Sequence, residues 1–213
     1  MDITCAIFDF DGTLFDSMPI WKGLKFEFLK NIGVELTEQD KKDISGMFLM
    51  DAMPLAKERF NLKESVNELF AMFFELLKER YLEKAIPKNN VIPFLDKLKE
   101  KGVKMGIATA TGEAALIPLL EKFNMLHYFT SIYSTYTVGA SKAYSKVYDI
   151  VREELEADIS TTWVFEDAIY AVKTAKNNGY NVVGIFDESQ RNPDEVKVIA
   201  DIFISDYNEI NLF

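Results

Sequence analysis

Ile3-Thr4-Cys5-Ala6-Ile7-Phe8-Asp9-Phe10-Asp11-Gly12-Thr13-Leu14 is the stretch from which the rest of the chain can be read. It begins as a short apolar run rich in β-formers, the pattern of a strand covered on both faces. At the carboxyl end of the run, Asp9 and Asp11 stand two residues apart, so extended geometry points both side chains the same way. Gly12 lets the chain turn sharply beneath them. Asp-Gly is also an ordinary turn pair, so the dipeptide alone does not separate a turn from a site. Two adjacent carboxylates repel, however. The repulsion is relieved when a hard cation such as Mg²⁺ binds between them and when one of them carries a proton. A nucleophile beside a general acid requires that arrangement.

Beyond this strand the periodicity changes. From residue 17 to about 87 the pattern is helical and shows no convincing strand: Trp21, Leu24, Phe28 and Leu29 recur at helical spacing before a stop at Gly33. Thr37 opens another helix, with Asp40 in place of the usual Glu of a capping box. A longer helix is predicted over 63–84, where Val66, Leu69, Phe70, Phe73, Leu76, Leu77 and Tyr81 form one apolar stripe. After Pro87 strands and helices alternate. Helices are predicted near 92–101, 113–123, 143–155, 168–178 and 194–199, and strands at 103–109, 130–134, 162–166, 181–186 and around 202. Pro118 is expected to kink or shorten the second of these helices.

Alternation of this kind implies an α/β fold, a Rossmann-like, mostly parallel sheet with helices on both faces. The expected division is a catalytic core of residues 1–14 and 88–213 with an inserted α-helical cap of residues 15–87. Open α/β sheets bind ligands at the carboxyl ends of their strands. An insertion leaving from there would cover the crevice like a lid, placed to select substrates and exclude water.

The 213 residues are 48% hydrophobic and 13% aromatic, enough to bury a full core. The formal net charge of -10 disfavours a nucleic-acid partner, because such binding depends on cations that release counterions. It also repels small anions at long range, so a phosphate ligand must be held by local cations or by a metal ion. No run approaches ~18 apolar residues, so no membrane partner and a cytoplasmic location are expected. Cys5, inside the apolar run, is read as a buried strand thiol, and a single cysteine excludes an intrachain disulfide.

The spacing Asp9-x-Asp11-Gly12-Thr13-Leu14 resembles motif I of the haloacid dehalogenase superfamily. Three further elements follow in order. Thr109, ending Val103-Lys104-Met105-Gly106-Ile107-Ala108, resembles motif II, in which a hydroxyl holds phosphoryl oxygens; a lone threonine there is otherwise a helix cap. Lys142, after Gly139-Ala140-Ser141, resembles the lysine of motif III, and Glu166-Asp167 after Trp163-Val164-Phe165 resembles the metal-binding acids of motif IV. The resemblance spans nearly the whole chain. It implies Asp9 and Asp11 as catalytic residues, Thr109 and Lys142 as the phosphate-binding pair, and Mg²⁺ held by Asp9, Asp11 (through its carbonyl) and Asp167, with Glu166 in an outer or alternate position. The helical block matches the branch of the superfamily that inserts a helical cap after motif I.

Within that branch, Asp11 argues against a dehalogenase, since a departing halide needs no proton donor. The resemblance implies a phosphatase acting on a small phosphorylated metabolite. The alternatives are a phosphomutase similar to β-phosphoglucomutase or, less expected, a non-catalytic phosphate-binding protein. By spacing, Trp21 stands where such mutases carry a histidine, and the only histidine, His127, is read as structural. The loop Ile44-Ser45-Gly46 continues as Met47-Phe48-Leu49-Met50, without the arginine that grips a second phosphate in those mutases. Three departures from the family pattern stand out. The prolines after the motif III lysine are absent, which makes Lys146 a rival to Lys142, and after motif IV Ala168 stands in place of a small hydroxyl residue and Tyr170 in place of a glycine. The residues leave the oligomeric state open.

Overall fold

The computed structural model describes residues 2–190 and 192–210. The positions 1, 191 and 211–213 of the expected core lie outside the described residues. The chain opens with β1 (Cys5–Phe8), then a two-residue strand β2 (Phe15–Asp16). A helical block follows: α1 (Met18–Trp21), α2 (Leu24–Asn31), α3 (Glu38–Ser45), α4 (Leu49–Arg59) and α5 (Val66–Lys84). A second two-residue strand, β3 (Ile86–Pro87), closes it, and then come α6 (Val91–Glu100), β4 (Lys104–Thr109), α7 (Glu113–Lys122), β5 (Ser131–Ser134) and α8 (Thr135–Val138). The remainder is α9 (Lys146–Glu154), β6 (Thr162–Glu166), α10 (Ile169–Asn177), β7 (Asn181–Ile185), α11 (Pro193–Ile199) and β8 (Ile202–Ile204).

Six strands form one sheet in the order β5-β4-β1-β6-β7-β8, and every neighbouring pair is parallel. Counted along the sheet's own strands this is 3-2-1-4-5-6, the Rossmann-like order, so the chain has the expected α/β fold with an inserted helical block. The apolar run of β1 is buried on both faces for a visible reason. Ala6 and Phe8 join the cluster containing Phe94, Leu95 and Leu98 of α6, whereas Cys5 and Ile7 join the cluster of Val147, Tyr148 and Val151 of α9. Alternate residues therefore enter cores on opposite sides of the sheet. Burial pushes the Cys5 thiol up to about 11, which suits a core residue rather than a nucleophile.

The helical block enters and leaves through one narrow passage. β2 and β3 pair antiparallel, Phe15 against Pro87 and Asp16 against Ile86, so the two crossings form a ribbon. This ribbon is a correction to the expectation of no strand up to residue 87. Two residues per strand are too few to show any period. The remaining differences are local. At α3 the capping box is complete: the Thr37 side chain accepts from the Asp40 amide, and Asp40 accepts from the Thr37 amide. Ser65 and Glu68 make the same box at α5. The helix predicted from 143 begins at Lys146, and α7 runs through Pro118 without ending there. Where α5 meets the sheet domain, the ring of Phe74 lies so close to Gly112 that a Cβ there would come within 2.5 Å of it. No helix among the described residues is long and apolar enough to cross a membrane.

Candidate active site

In a 3-2-1-4-5-6 sheet the chain order reverses between the first and fourth strands, and the crevice opens at their carboxyl ends. Here those strands are β1 and β6, and the residues that follow them are Asp9 and Glu166-Asp167. The Asp9 amide donates to the carbonyl of Phe165 at 2.9 Å, which ties the end of β1 to β6. The pleat then continues past the strand: Asp9 faces the cavity, Phe10 turns inward to stack on Phe15 at 4.8 Å, and Asp11 faces the cavity again. The loop closes through hydrogen bonds from Leu14 and Phe15 amides to the Phe10 carbonyl. Gly12 has a φ of +80°, and a Cβ on it would meet the Asp167 carboxylate at 2.6 Å. Only glycine allows the loop this turn and this approach together.

Asp9, Glu166 and Asp167 are all buried, and one carboxylate oxygen of each lies within 4.8 Å of the others. One cation stands among them. The Lys142 ammonium, 2% exposed, donates to Asp9 and, at 2.7 Å, to Glu166. Glu166 is held further by the Tyr148 hydroxyl at 3.1 Å and the Ala168 amide at 3.2 Å. Three buried carboxylates against one ammonium leave a deficit of positive charge. Burial and then the nearby Glu166 push the Asp9 carboxyl up to about 7, against the pull of Lys142. Burial, Glu166 and Asp9 likewise hold the Asp167 carboxyl well above the usual carboxylate range. Burial would lower Lys142, but Asp9 and Glu166 outweigh it and raise it. Hard oxygen donors short of two compensating charges fit a divalent metal ion.

Asp11 belongs to the same cavity but has different partners. Its Oδ1 accepts from the Ser17 hydroxyl at 2.6 Å and from the Tyr81 hydroxyl, and its Oδ2 accepts from Thr111 at 2.6 Å. Tyr81 in turn accepts from the Trp21 indole at 3.1 Å. The carboxylate is thus gripped by the residue just after β2, by α5 and by the loop after β4. Thr109, fully buried at the end of β4, accepts from the Thr111 amide at 3.0 Å, and it is Ala110 and Thr111 that line the cavity. Lys146 is exposed and donates to the Val138 carbonyl, whereas Lys142 is the buried lysine. His127 sits in a turn against the Tyr128 ring, away from the cavity lining. Met47 and Phe48 line the cavity; Met50 packs against the core instead.

Sequence reading passed over Tyr81, Thr111, Ser17 and Lys25. Tyr81 was visible only as one more apolar-stripe position, since nothing local marks a phenol whose partner is 70 residues away. Thr111, two residues past Thr109, carried the one available signal: a second hydroxyl in the same post-strand loop.

Comparison with known proteins agrees with this geometry. A phosphorylated carbohydrates phosphatase of Thermotoga maritima is 26% identical over 174 residues, covering 82% of this chain and 81% of its own. A hexitol phosphatase B of Escherichia coli is 27% identical, covering 98% of this chain and 94% of its own. The crystal structure of CbbY from Rhodobacter sphaeroides in complex with phosphate shares the fold, with a TM-score of 0.81 at 16% identity over 97% of this chain and 96% of that one. The model of the family described as haloacid dehalogenase-like hydrolase matches residues 6–185, and the chain belongs to that family of enzymes.

Proposed function

We propose that this hydrolase is a magnesium-dependent phosphatase that cleaves a small phosphorylated metabolite through an aspartyl-phosphate on Asp9, acting in the cytoplasm. The observation that carries the reading is the buried cluster of Asp9, Glu166 and Asp167 around Lys142 at the sheet's switch point. The names of the relatives, phosphatases of phosphorylated carbohydrates and of hexitols, support the same reaction class. In this reading residues 1–14 and 88–213 form the catalytic core and residues 15–87 form the cap.

Asp9, Asp167 and the Asp11 carbonyl would hold Mg²⁺, with Glu166 anchored by Lys142 and Tyr148 behind them. A bound Mg²⁺ supplies positive charge against the phosphate dianion. An Asp9 oxygen attacks phosphorus in line. The bond from phosphorus to the leaving oxygen breaks, and Asp11 gives that oxygen its proton. Asp11 then takes a proton from water, whose oxygen attacks phosphorus and breaks the bond to Asp9, releasing inorganic phosphate. Lys142 stabilises charge on the equatorial oxygens, and Thr109, buried beneath Ala110 and Thr111, holds the loop that faces them rather than touching the oxygens itself.

The mutase alternative draws less support. Trp21 stands where a mutase needs a titrating side chain, and its N–H is committed to Tyr81. The deciding experiment is a phosphate-release screen over sugar phosphates, phosphoglycolate, nucleotides and phosphorylated cofactors, with Mg²⁺ and again with EDTA. Release that depends on Mg²⁺ is expected. Isomerised sugar phosphate in place of free phosphate would favour the mutase, and no turnover at all would favour a binding protein.

A further inference from the structure

The cavity over Asp9 has a volume of about 270 Å³. Its floor is ionic and its roof is not. Met18, Trp21, Met47, Phe48 and Leu49 come from the helical block, and Tyr170 of α10 meets Phe48 edge to face with ring centroids 5.3 Å apart. Two of the three polar side chains in the roof are already committed, and the third, Tyr170, offers a single phenol hydroxyl. The Trp21 indole donates to Tyr81. The Lys25 ammonium donates to three carbonyls at the end of α3 and beyond it: Ile44 at 2.8 Å, Ser45 at 3.3 Å and Met47 at 2.6 Å. An ammonium has three N–H bonds, so Lys25 has none left for a ligand. Those three carbonyls lie in the segment that carries Met47 and Phe48 over the site. Lys25 is therefore a positioning residue for the roof, favoured there also by the negative end of the helix dipole.

Two consequences follow for whatever leaves with the scissile oxygen. A second anionic group would find no free cation, because the other lysine of the cavity, Lys142, is shared by Asp9 and Glu166. A chain of hydroxyls would give up water for at most one roof partner, the Tyr170 phenol, and each further hydroxyl left stranded costs roughly tenfold in affinity. Apolar surface, by contrast, gains by burial against methionine and aromatic rings. The volume lies just below the ~300 Å³ at which ligand pockets usually begin, which limits the leaving group to about one ring.

Building on the phosphatase reading, we propose that the substrate is the phosphomonoester of a single-ring, largely apolar alcohol without a second anionic group, received by the face of Met47, Phe48 and Trp21. The chain would then differ in specificity from its relatives named for carbohydrates and hexitols.

The test compares benzyl phosphate with a hexitol 6-phosphate and phosphoglycolate on the Mg²⁺-loaded protein. The first two release primary alcohols, so the chemical step is alike and the roof is what differs. We expect kcat/KM for benzyl phosphate to exceed that for the hexitol ester by about 100-fold, the loss of two hydroxyl partners. Met47→Asn should narrow the gap at least tenfold, chiefly through KM for benzyl phosphate. Calorimetry on the Asp9→Asn protein with Mg²⁺ should give the same order of affinities without turnover. If the hexitol ester or phosphoglycolate is hydrolysed as well as benzyl phosphate or better, this specificity is wrong while the phosphatase reading stands. If no ester in the wider screen is hydrolysed, both are overturned.

Discussion

The floor of the cavity, where β1 and β6 end, gathers carboxylates from positions 9, 166 and 167 around a single lysine; the roof, carried by α1, α2 and the turn before α4, is methionine, leucine and aromatic rings. The floor is held by ion pairing and hydrogen bonds: Glu166 by Lys142, Tyr148 and Ala168, and Asp9 by the same Lys142. The roof touches the sheet domain largely through rings, as Phe48 does on Tyr170. Phe48 is 54% exposed, whereas the floor carboxylates are buried. A charged floor must be over-determined, because a buried ion without partners is costly, whereas an apolar roof depends on area and tolerates adjustment. Changes to the floor should therefore abolish chemistry or stability, and changes to the roof should alter only which ester is accepted.

The largest expected effect is at Asp9. Asp9→Asn removes the nucleophile and should lower magnesium-dependent turnover by roughly 10⁴-fold or more while the circular dichroism spectrum is kept. Activity above a tenth of the parent would refute the role. Lys142→Met should come next, since it leaves Asp9 and Glu166 buried without their common partner. Loss of about 3 kcal/mol of stability is expected, read from the urea midpoint, together with loss of turnover. A variant as stable as the parent would mean that the floor is not held together by this ion pair.

Tyr81→Phe probes the join between the two regions, because this phenol reaches from α5 to Asp11. Loss of one hydrogen bond to a carboxylate should slow alkyl phosphates by about tenfold or somewhat more. Read as kcat/KM, which ends when the leaving group departs, 4-nitrophenyl phosphate should be nearly unaffected, since its leaving group departs without a proton. Equal loss of kcat/KM on both esters would show that Tyr81 does not act through the proton donor. The smallest effect is expected from Phe48→Ala, which should raise KM several-fold and shift stability by no more than about 0.5 kcal/mol, as befits a half-exposed side chain. A large stability loss from this substitution would erase the contrast between roof and floor.

Local pattern was enough for much of this architecture. The continuous apolar run of Cys5–Phe8, the β6 strand Thr162–Glu166 and the stripe of α5 are residue-scale patterns that survive without knowledge of the fold. The ribbon of Phe15–Asp16 with Ile86–Pro87 is not legible locally, because it exists only where two distant segments meet. Among site residues, Asp9, Asp11, Lys142, Glu166 and Asp167 could be named in advance because each follows a strand or sits in a loop with a motif around it. Tyr81, Thr111 and Lys25 could not, for their roles reside in partners far along the chain.

Residue order alone thus determined which elements form and which acids stand at strand ends, because secondary structure and the pleat are read from neighbours a few positions apart. Only the tertiary structure decided that Asp11 is gripped by Tyr81 and Thr111, that Gly12 lies against Asp167, and that Lys25 spends its charge on its own backbone. Those are choices among hydrogen-bond partners tens of residues away, and a side chain's partner is set by where the packed elements bring it rather than by its place in the chain.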